Sequence, residues 1–566
     1  MTLQLPHADH QEGVFARALS ANARELDETG RRWFFLPYDQ LTLAVGPHAE
    51  GPARNVGLVL VETTWKPRLR PYHKQKLALL LANQRQFALE AQAAGYAVRY
   101  LVSHKSYASA LRCAIDELGP LTVMEPAERE LRANLAELAA ERKLEVVAHE
   151  GWLTTPEQFV EWTGDEPPWR MDRFYRGVRR STSLLMEDGK PEGGRFSFDG
   201  DNRKRWKGDP PAPELPRFEP DAVTLEVVEL VETVFAHHPG EIDTHLLPAT
   251  QQDAERQWNW ALEHCMESFG PYEDAMSLQS STLFHTRISP LLNLHRLLPQ
   301  RVVQDVADRP EIPLSSREGF LRQIIGWREF VRHVHRETDG FRTLAAAGEL
   351  LASPGDAGWN RLAGTDAEAA ADVPPDGGGV APQPFEGAID LPPAFWGEPS
   401  GIACLDHVVD GVMKEAYSHH INRLMILSNL ATLLDVDARQ LTDWFWVAYA
   451  DAYDWVVEPN VLGMGTYAVG DVMTTKPYVS GSAYIRRMGD YCKNCRFKKD
   501  CPITPLYWNY LDRHQERFQG NQRMSLVLRN VAKRSEEVKD RDRALRIWVQ
   551  ETLGRGEELL PENAPA

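Results

Sequence analysis

Short apolar runs alternate with helical stretches in the first part of the chain and are absent from the rest. The runs begin at Trp33, Val56, Ala97, Leu121 and Leu144, with the sequences WFFLPYD, VGLVLVE, AVRYLVS, LTVMEP and LEVVAHE. The helical stretch HKQKLALLLANQRQFALEAQAAG lies between the second and third runs. Strands that alternate with helices form a parallel sheet covered by helices on both faces. We therefore predict a Rossmann-like α/β domain over residues 33–155.

The second half of the chain has a different periodicity. Long segments such as SSREGFLRQIIGWREFVRHVHRE and DARQLTDWFWVAYADAYDWV dominate beyond residue 240. Their apolar residues recur at helical spacing, so we expect an all-α domain over 240–525. The other segments are interpreted as an N-terminal extension (1–32), an ordered connector rich in Pro, Gly, Arg and Asp (156–239) and a C-terminal tail (526–566). Residues 342–394 form a low-complexity loop within the helical domain, and its stretch 363–384 is predicted to be disordered.

Charge separates one region from the rest of an acidic protein. The chain has 566 residues and a formal net charge of −18. Residues 486–534 nevertheless contain twelve Lys and Arg against four Asp and Glu, a local charge of +8 that leaves −26 for the remainder. A basic face of this kind can dock on a phosphate backbone. A solvated helical face is the alternative, and charge alone gives the two equal weight.

The chain also carries no sign of membrane insertion or export. No apolar stretch approaches the roughly 18 residues that cross a bilayer. The N-terminal sequence lacks the basic region and apolar core of a secretory signal. We therefore expect a cytoplasmic protein with no membrane partner, and a monomer. In a reducing compartment a tight cysteine cluster binds metal more often than it forms disulfides.

Such a cluster is present, because three of the six cysteines lie within ten residues, namely Cys492, Cys495 and Cys501. Thiolates at this spacing can bind one metal ion or the corners of an iron–sulfur cluster. A fourth soft ligand is needed from Cys113, Cys265 or Cys404. We expect Cys113 and Cys265 to be buried core residues, whereas Cys404 starts a helix in the domain of the triplet. Spacing leaves a zinc site and an iron–sulfur cluster as alternatives.

A series of motifs, in order along the chain, resembles the iron–sulfur branch of the photolyase/cryptochrome family, which includes bacterial (6-4) photolyases. The motifs are YDQL (38–41), FYRGVRRSTSLLM (174–186), EGGRFSFD (192–199), FLRQIIGWREF (320–330), AYSHHINRLM (416–425), YADAYDWV (449–456), TKPYVSGSAYIRRMGDYC (475–492) and CPITPLYW (501–508). In that family the fourth cluster ligand lies on a helix start upstream of a double histidine. The resemblance therefore implies a 4Fe-4S cluster on Cys404, Cys492, Cys495 and Cys501.

The resemblance also implies FAD in the helical domain. HTRIS at 285–289 is similar to the family's diphosphate-binding turn, and its hydroxyls and its arginine suit phosphate oxygens. The residues implied to bind FAD are His285, Thr286, Arg287, Ser289, Asn293, Gln323, Trp327, Arg328, Asn422, Asp451 and Asn460. One position departs from the family, because Val457 stands where an acid facing flavin N5 is expected and Glu458 is displaced by one residue.

Two further groups follow from the same resemblance. Trp396 and Trp444 match an electron-transfer chain from the surface to the flavin. Relatives hold a 6,7-dimethyl-8-ribityllumazine antenna between the α/β sheet and the helical domain, and the corresponding contacts here are Asp39, Gln40 and Glu62, with YHKQK (72–76) nearby. Lys66 and Leu69 replace a glutamate and a tyrosine of the relatives, so a different antenna or none are the alternatives.

The activity implied is light-driven repair of UV-damaged DNA. Reduced FAD excited by blue light gives an electron to a (6-4) pyrimidine–pyrimidone lesion, which is flipped into the helical domain. His420 is the implied proton donor and His419 positions it, because histidine can give and regain a proton near neutral pH. Tyr478 and Tyr484 are expected to face the lesion. The alternatives are a cryptochrome-like blue-light photoreceptor and a cyclobutane pyrimidine dimer photolyase.

Overall fold

The α/β domain is built on a sheet of five parallel strands. The computed structural model describes residues 13–21, 30–344, 349–350, 369, 371–373, 378–382 and 388–565. The strands are β1 (Arg32–Phe35), β2 (Val56–Thr63), β3 (Ala97–Ser103), β4 (Leu121–Met124) and β5 (Leu144–Val147). Their order is β3-β2-β1-β4-β5, and every pairing is parallel. The five predicted strands and the parallel sheet are confirmed.

Three crossover helices connect these strands. They are Lys74–Ala93 after β2, Tyr107–Leu118 after β3 and Arg129–Ala140 after β4. All eight residues of β2 are buried, which fits a strand covered by helices on both faces of the sheet. The strand order reverses between β1 and β4, so the carboxyl ends of these strands border the crevice where such sheets bind ligands.

The segment interpreted as a connector contains regular structure of its own. Its helices are Pro156–Thr163, Met171–Thr182 and Ala222–Val234, and Met186–Glu187 pairs with Lys190–Pro191 in a short hairpin. Thr155 and Gln158 form a capping box at the first helix, and Asp221 caps the third. These helix-capping residues lie among residues that favour loops. The amino-acid composition therefore did not predict the helices of this segment.

The remainder of the structure is helical, as predicted. The principal helices are Gln251–His264, Pro299–Ala307, Leu314–Leu321, Glu329–Glu337, Ala403–Glu415, Ala438–Ala448, Ser482–Met488, Ile503–Arg513, Ser525–Val531 and Glu536–Gly554. Shorter helices are Val14–Ala21, Trp65–Leu69, Met266–Phe269, Ser289–Asn293, His420–Asn422, Asn429–Leu433 and Asp454–Val457. No helix of the described residues is both long and apolar enough to span a bilayer.

Three helical runs contain π-helical segments, at Arg322–Arg328, Arg423–Ser428 and Glu458–Gly465. Wide turns of this kind are frequent at functional sites. Each segment carries or adjoins a residue implied to bind FAD, namely Gln323, Asn422 or Asn460. The sequence pattern gives no warning of them, because apolar spacing alone does not distinguish a π turn from an α turn.

Two further segments differ in detail from a purely helical interpretation. Glu349–Leu350 and Val380–Ala381 form a two-residue antiparallel ladder. Most of the low-complexity loop predicted to be disordered lies outside the described residues. The segment interpreted as a C-terminal tail contains the helix Glu536–Gly554, whose Val549 and Leu553 are buried.

Candidate functional site

Three histidines form the centre of the candidate site. The rings of His285 and His419 stack in parallel with centroids 4.6 Å apart, and His420 meets His285 edge-on at 5.3 Å. Burial, with smaller effects from His420 and Arg423, lowers the pKa of His419 to about 3. Burial likewise lowers the pKa of His285 well below its ordinary value. Both rings are therefore neutral near pH 7, whereas the His420 side chain is 40% exposed at the mouth of the site.

Asp274 connects His420 to the neighbouring tyrosine. His420 Nε2 lies 3.8 Å from Asp274 Oδ1, and the Tyr484 hydroxyl donates a hydrogen bond to Asp274 Oδ2 at 3.2 Å. Arg203 Nε lies 3.7 Å from the same carboxylate. Burial and then Asp274 raise the pKa of Tyr484, so its hydroxyl remains a donor. Tyr478 is half-buried, and Asp199, Arg203 and Arg523 are close enough to influence its pKa, which burial raises.

A second cluster surrounds Asp451. The Ser289 hydroxyl donates to Asp451 Oδ2 at 2.6 Å, and the Arg423 guanidinium binds both carboxylate oxygens at 2.9 and 3.1 Å. The Asn293 amide donates to the Asp451 carbonyl at 2.8 Å. Burial alone would raise the pKa of Asp451, but Arg423 and Ser289 lower it, so the carboxylate is ionised.

A cleft open to solvent adjoins this cluster. Its polar lining includes Gln257, Arg287, Glu415 and Asp451. Arg287 Nη1 binds Glu415 Oε2 at 2.5 Å, and its guanidinium lies 4.2 Å from the centroid of the Tyr417 ring. A cation, an amide and two carboxylates beside apolar walls can hold a large, partly charged ligand.

Two histidines supply a test of whether this region suits a polar cofactor. His285 Nε2 and both ring nitrogens of His419 are buried and have no hydrogen-bond partner within the described part of the chain. An unsatisfied buried polar group costs about 1–3 kcal/mol, so native structures seldom retain several together. The arrangement fits a ligand such as a flavin dinucleotide, which carries both donors and acceptors.

An aromatic path leads from the surface to the Asp451 cluster. The rings of Trp396 and Trp444 are 6.4 Å apart at 80°, and the rings of Trp444 and Tyr449 are 5.8 Å apart. The Arg423 guanidinium lies 4.2 Å from the Tyr449 ring centroid. Trp396 is half-buried and Trp444 is fully buried, so the path runs inward.

The four cysteines implied as cluster ligands line one cavity. Burial, followed by Cys501, Cys492 and Cys495, raises the pKa of Cys404 well above its ordinary value, which places the four sulfurs near one another. Among the described residues, no group of three or more His, Cys, Asp or Glu converges closely enough to hold a single metal ion. Cys265 is buried as predicted, but Cys113 is exposed on the outer face of its helix, so that prediction is wrong.

Comparison with known proteins agrees with this geometry. The sequence profile of the family described as deoxyribodipyrimidine photo-lyase-related protein matches residues 34–246. A protein of Agrobacterium fabrum (strain C58) named (6-4) photolyase is 32% identical over 521 residues, which cover 88% of this chain and 95% of that protein. This chain belongs to the photolyase family.

Two solved structures share the fold of this photolyase-family chain. A bacterial class III photolyase from Agrobacterium tumefaciens matches 93% of this chain and 98% of its own, with a TM-score of 0.51 and 13% identity. A cryptochrome from Synechocystis sp. PCC6803 matches 81% of this chain and 88% of its own, with a TM-score of 0.50 and 12% identity. At these identities the matches show the fold, and the predicted two-part architecture is confirmed.

The other residues implied to bind FAD occupy varied positions in this photolyase-family chain. The Thr286 carbonyl accepts from Gln257 at 2.8 Å, and the Asn422 amide oxygen accepts from the Tyr491 hydroxyl at 3.1 Å. The Gln323 amide donates to Glu273 Oε1 at 2.5 Å. Glu273 directly precedes Asp274 in the sequence.

Arg328 contacts both domains, whereas the contacts of Trp327 and Asn460 lie within the helical domain. Arg328 Nε lies 3.4 Å from Asn293 Oδ1, and its guanidinium lies 4.0 Å from the Trp152 ring centroid. The described contact of Trp327 is with Phe330 at 6.1 Å, and Asn460 donates to the Val456 carbonyl within its own helix.

Near the position expected to face flavin N5, Val457 is buried. Glu458 is held by Arg439 Nη1 and by the His335 ring, each at 2.8 Å. Its carboxylate is thus engaged by two buried partners within the protein.

The residues implied to contact an antenna have partners within the protein. The Gln40 amide donates to the Met124 carbonyl at 2.9 Å, and Asp39 Oδ2 accepts from the Ala127 amide at 3.2 Å. Glu62 binds Arg85 through both oxygens, at 2.7 and 2.8 Å, and accepts from the Tyr100 hydroxyl at 2.6 Å. Glu62 and the Asp39–Gln40 pair therefore contact different elements.

The sequence patterns did not identify two features of the site. Asp274 has no local motif and lies far from His420 along the chain, so only the fold brings them together. The run RKRWK at 203–207 contains four basic residues in five, all exposed, and its charge density was the available signal. Burial raises the pKa of Cys492, and Arg486 and Arg205 oppose that shift, which places this basic run beside the cysteine cavity.

Proposed function

We propose that this chain is a light-driven DNA repair enzyme that reverses (6-4) pyrimidine–pyrimidone photoproducts. The observation that carries the proposal is the half-exposed His420, held between the stacked His285–His419 pair and the Asp274–Tyr484 hydrogen bond. The relative named (6-4) photolyase, which aligns over most of both chains, supports the same activity.

The proposed cofactor is FAD, held by Arg287, Ser289, Asn293 and Asp451 with His285 and His419 beside them. Bound in its reduced form, FAD supplies the electron that enters the lesion when blue light is absorbed. The Arg423–Asp451 ion pair places a cation and an ionised carboxylate at fixed positions on the floor of this region. Such preorganised charge holds a ligand without rearrangement at the moment of reaction.

We assign proton donation to His420 and positioning to His419. A (6-4) lesion must move a hydroxyl between its rings, and a proton delivered to that oxygen assists the transfer. His419 is a neutral imidazole near pH 7 because burial lowers its pKa, so it cannot act as the proton donor there. His420 is accessible, and Asp274 Oδ1 offers a negative charge within 3.8 Å of its ring.

The proposed partner is UV-damaged duplex DNA, docked on the basic residues around this site. Arg487 lies 5.4 Å from the centroid of the Tyr484 ring, and Arg523 is close enough to Tyr478 to influence its pKa. Lys204, Arg205 and Lys207 are exposed cations that follow Arg203 in the chain. Part of the predicted basic run 486–534 has internal roles instead. Arg513 binds Asp435, Arg534 binds Asp542, and Arg517 donates to the Tyr467 carbonyl. The docking face is therefore smaller than the charge count implies, and it includes 203–207.

We also propose a 4Fe-4S cluster on Cys404, Cys492, Cys495 and Cys501. A single zinc ion would require four thiolates at about 2.3 Å from one point. Four thiols that line one cavity, with no three of them converging on a single metal position among the described residues, suit a polynuclear cluster better. Iron and acid-labile sulfide near four per chain, with a brown colour, is the expected result. Zinc at one per chain without iron would contradict the cluster.

The activity is tested with oligonucleotides that carry a single lesion. Purified, FAD-loaded and reduced protein is incubated with a (6-4) photoproduct or a cyclobutane dimer, in blue light and in the dark. We expect (6-4) repair in light alone. Repair of only the cyclobutane dimer would reassign the lesion, and normal flavin photochemistry without any repair would indicate a photoreceptor.

A further inference from the structure

The crevice outside the carboxyl ends of β1, β2 and β4 is where a sheet of this order binds a ligand. It is also where the family resemblance implies a ribityllumazine antenna. In this chain the crevice faces the helical domain and contains an unusual number of buried charges. They are Lys66, Arg70, Lys76, Glu128 and Glu130.

Four of these charges neutralise one another. Lys66 Nζ binds Glu128, lies 3.1 Å from Glu130 Oε2 and donates to the Tyr38 hydroxyl at 2.7 Å. Arg70 binds both oxygens of Glu130, one of them at 3.0 Å. Burial alone would raise the pKa of Glu130, but Arg70 and Lys66 lower it to about 2. Two cations and two carboxylates therefore form a neutral set, which we call the Lys66 network (Lys66, Arg70, Glu128 and Glu130).

The start of the helix Lys74–Ala93 is likewise bound to the helical domain. Lys76 Nζ donates to the carbonyls of Trp446 and Ala452 at 2.7 and 2.6 Å. The His73 ring lies 2.9 Å from the Met413 carbonyl. These polar atoms belong to the YHKQK stretch from which antenna contacts are expected, and protein groups already occupy them.

Described residues of the low-complexity loop cover the same end of the sheet. The Trp65 indole is fully buried and donates to the Ala369 carbonyl at 2.8 Å. Asp372 Oδ2 accepts from the Ser106 amide at 3.0 Å. Ala369 is itself buried, so this part of the loop packs onto the α/β domain as a cover.

Three polar atoms of these residues remain that a ligand could use. Asp39 Oδ1, Gln40 Oε1 and Arg70 Nε have no hydrogen-bond partner within the described residues. Burial and Glu128 raise the pKa of Asp39 to about 7, so this carboxyl carries a proton part of the time, which lowers the penalty of its isolation. Two isolated oxygens and one N–H do not form a slot for a bicyclic dye, and the ammonium groups of Lys66 and Lys76 are engaged by protein groups. The residues present do not fit a ribityllumazine.

We propose that this chain holds no antenna chromophore at the interdomain crevice, because the Lys66 network and the loop residues 369 and 371–373 close it. Light absorption then rests on the flavin alone. The inference concerns light harvesting and does not depend on which lesion is repaired.

The test uses purified FAD-loaded protein incubated with excess 6,7-dimethyl-8-ribityllumazine and freed of unbound dye by gel filtration. We expect no dye to co-elute. We also expect the wavelength dependence of flavin photoreduction to follow FAD absorption with and without dye. Stoichiometric co-elution, or photoreduction sensitised at wavelengths that the dye absorbs, would overturn the proposal.

A Lys66→Glu/Leu69→Tyr double variant restores the two residues of the relatives and breaks the Lys66 network. We expect it to retain more dye than the wild type, while its FAD content reports that the fold is intact. Equal exclusion of dye by a double variant of normal FAD content would remove the Lys66 network as the barrier. The single variant Leu69→Tyr is the control, because it adds the aromatic ring and leaves every charge in place.

Discussion

Two buried polar regions of this protein handle their polar groups in opposite ways. At the proposed repair site (His285, His419 and His420), His285 Nε2 and both ring nitrogens of His419 lack partners among the described residues, and His420 is open to solvent. At the interdomain crevice, the charges of Lys66 and Arg70 are neutralised by Glu128 and Glu130. Because an unsatisfied buried group is costly, the first arrangement is expected only where a ligand completes it. In the second, the charged groups compensate one another within the protein.

The difference predicts which residues contribute to activity and which contribute to the stability of the fold. A residue of the repair site should change activity or cofactor binding when it is replaced, with little effect on folding. A residue of the Lys66 network should change stability, with little effect on the chemistry at His420. Each prediction below tests one side of that division.

The largest effect is expected for His420→Ala. General acid–base groups contribute about 10²–10⁴ in rate, so light-driven (6-4) repair should fall by that factor. FAD content, iron content and lesion binding should remain near the wild-type values. The measurement is single-turnover repair by reduced enzyme.

His104→Ala is the matched control, since His104 is an exposed histidine of the α/β domain. Wild-type repair by the His420→Ala variant would remove His420 as the proton donor. A loss of FAD together with the activity would instead make His420 part of the cofactor site.

The next effect is on stability. Lys66→Ala leaves Glu128 unpaired in a buried position, and removing one partner of a buried ion pair costs about 3–5 kcal/mol. Urea denaturation followed by circular dichroism should show this loss in the free energy of unfolding. Arg99→Ala is the control, because the exposed Arg99–Glu117 pair contributes only about 0.2–1 kcal/mol. Equal free energies of unfolding for the two variants would show that the Lys66 network does not stabilise the fold.

The strands and helices could be predicted from the sequence, whereas most contacts between distant residues could not. The runs beginning at Trp33 and Val56 became strands because alternating strands and helices admit few arrangements. Residue spacing also brought the cysteines of the triplet to one cavity. Asp274 could not be predicted, because its contact with His420 depends on how distant helices pack.

The same limit applies to the interdomain crevice. The sequence showed that Lys66 departs from the relatives, but its partners Glu128 and Glu130 follow a different strand. From the sequence alone, Lys66 could equally be an exposed surface lysine. Only the structure shows that it is buried and paired with Glu128 and Glu130. The error at Cys113 has a similar origin, because a helix covering a sheet has both a buried and an exposed face.

A smaller effect is expected along the aromatic path that connects the surface to the repair site. Trp396→Phe and Trp444→Phe should slow the light-driven reduction of oxidised FAD, because phenylalanine gives up an electron less readily than tryptophan. Repair by enzyme that is already reduced should be largely retained. The measurement is flavin absorbance under blue light with an external reductant. Full photoreduction in the double variant would exclude these two residues from the path.

The smallest effect concerns the basic rim of the repair site. Each phosphate contact that is lost reduces the slope of log K against log salt by about 0.9 for duplex DNA. The triple variant Lys204→Ala, Arg205→Ala and Lys207→Ala should therefore bind lesion-bearing and undamaged duplexes more weakly, with a shallower slope for both. Arg54→Ala, Lys105→Ala and Arg142→Ala together form the charge-matched control, since these exposed residues belong to the α/β domain. An unchanged slope in the first triple variant, or an equal change in the control, would place the DNA-docking face away from residues 203–207.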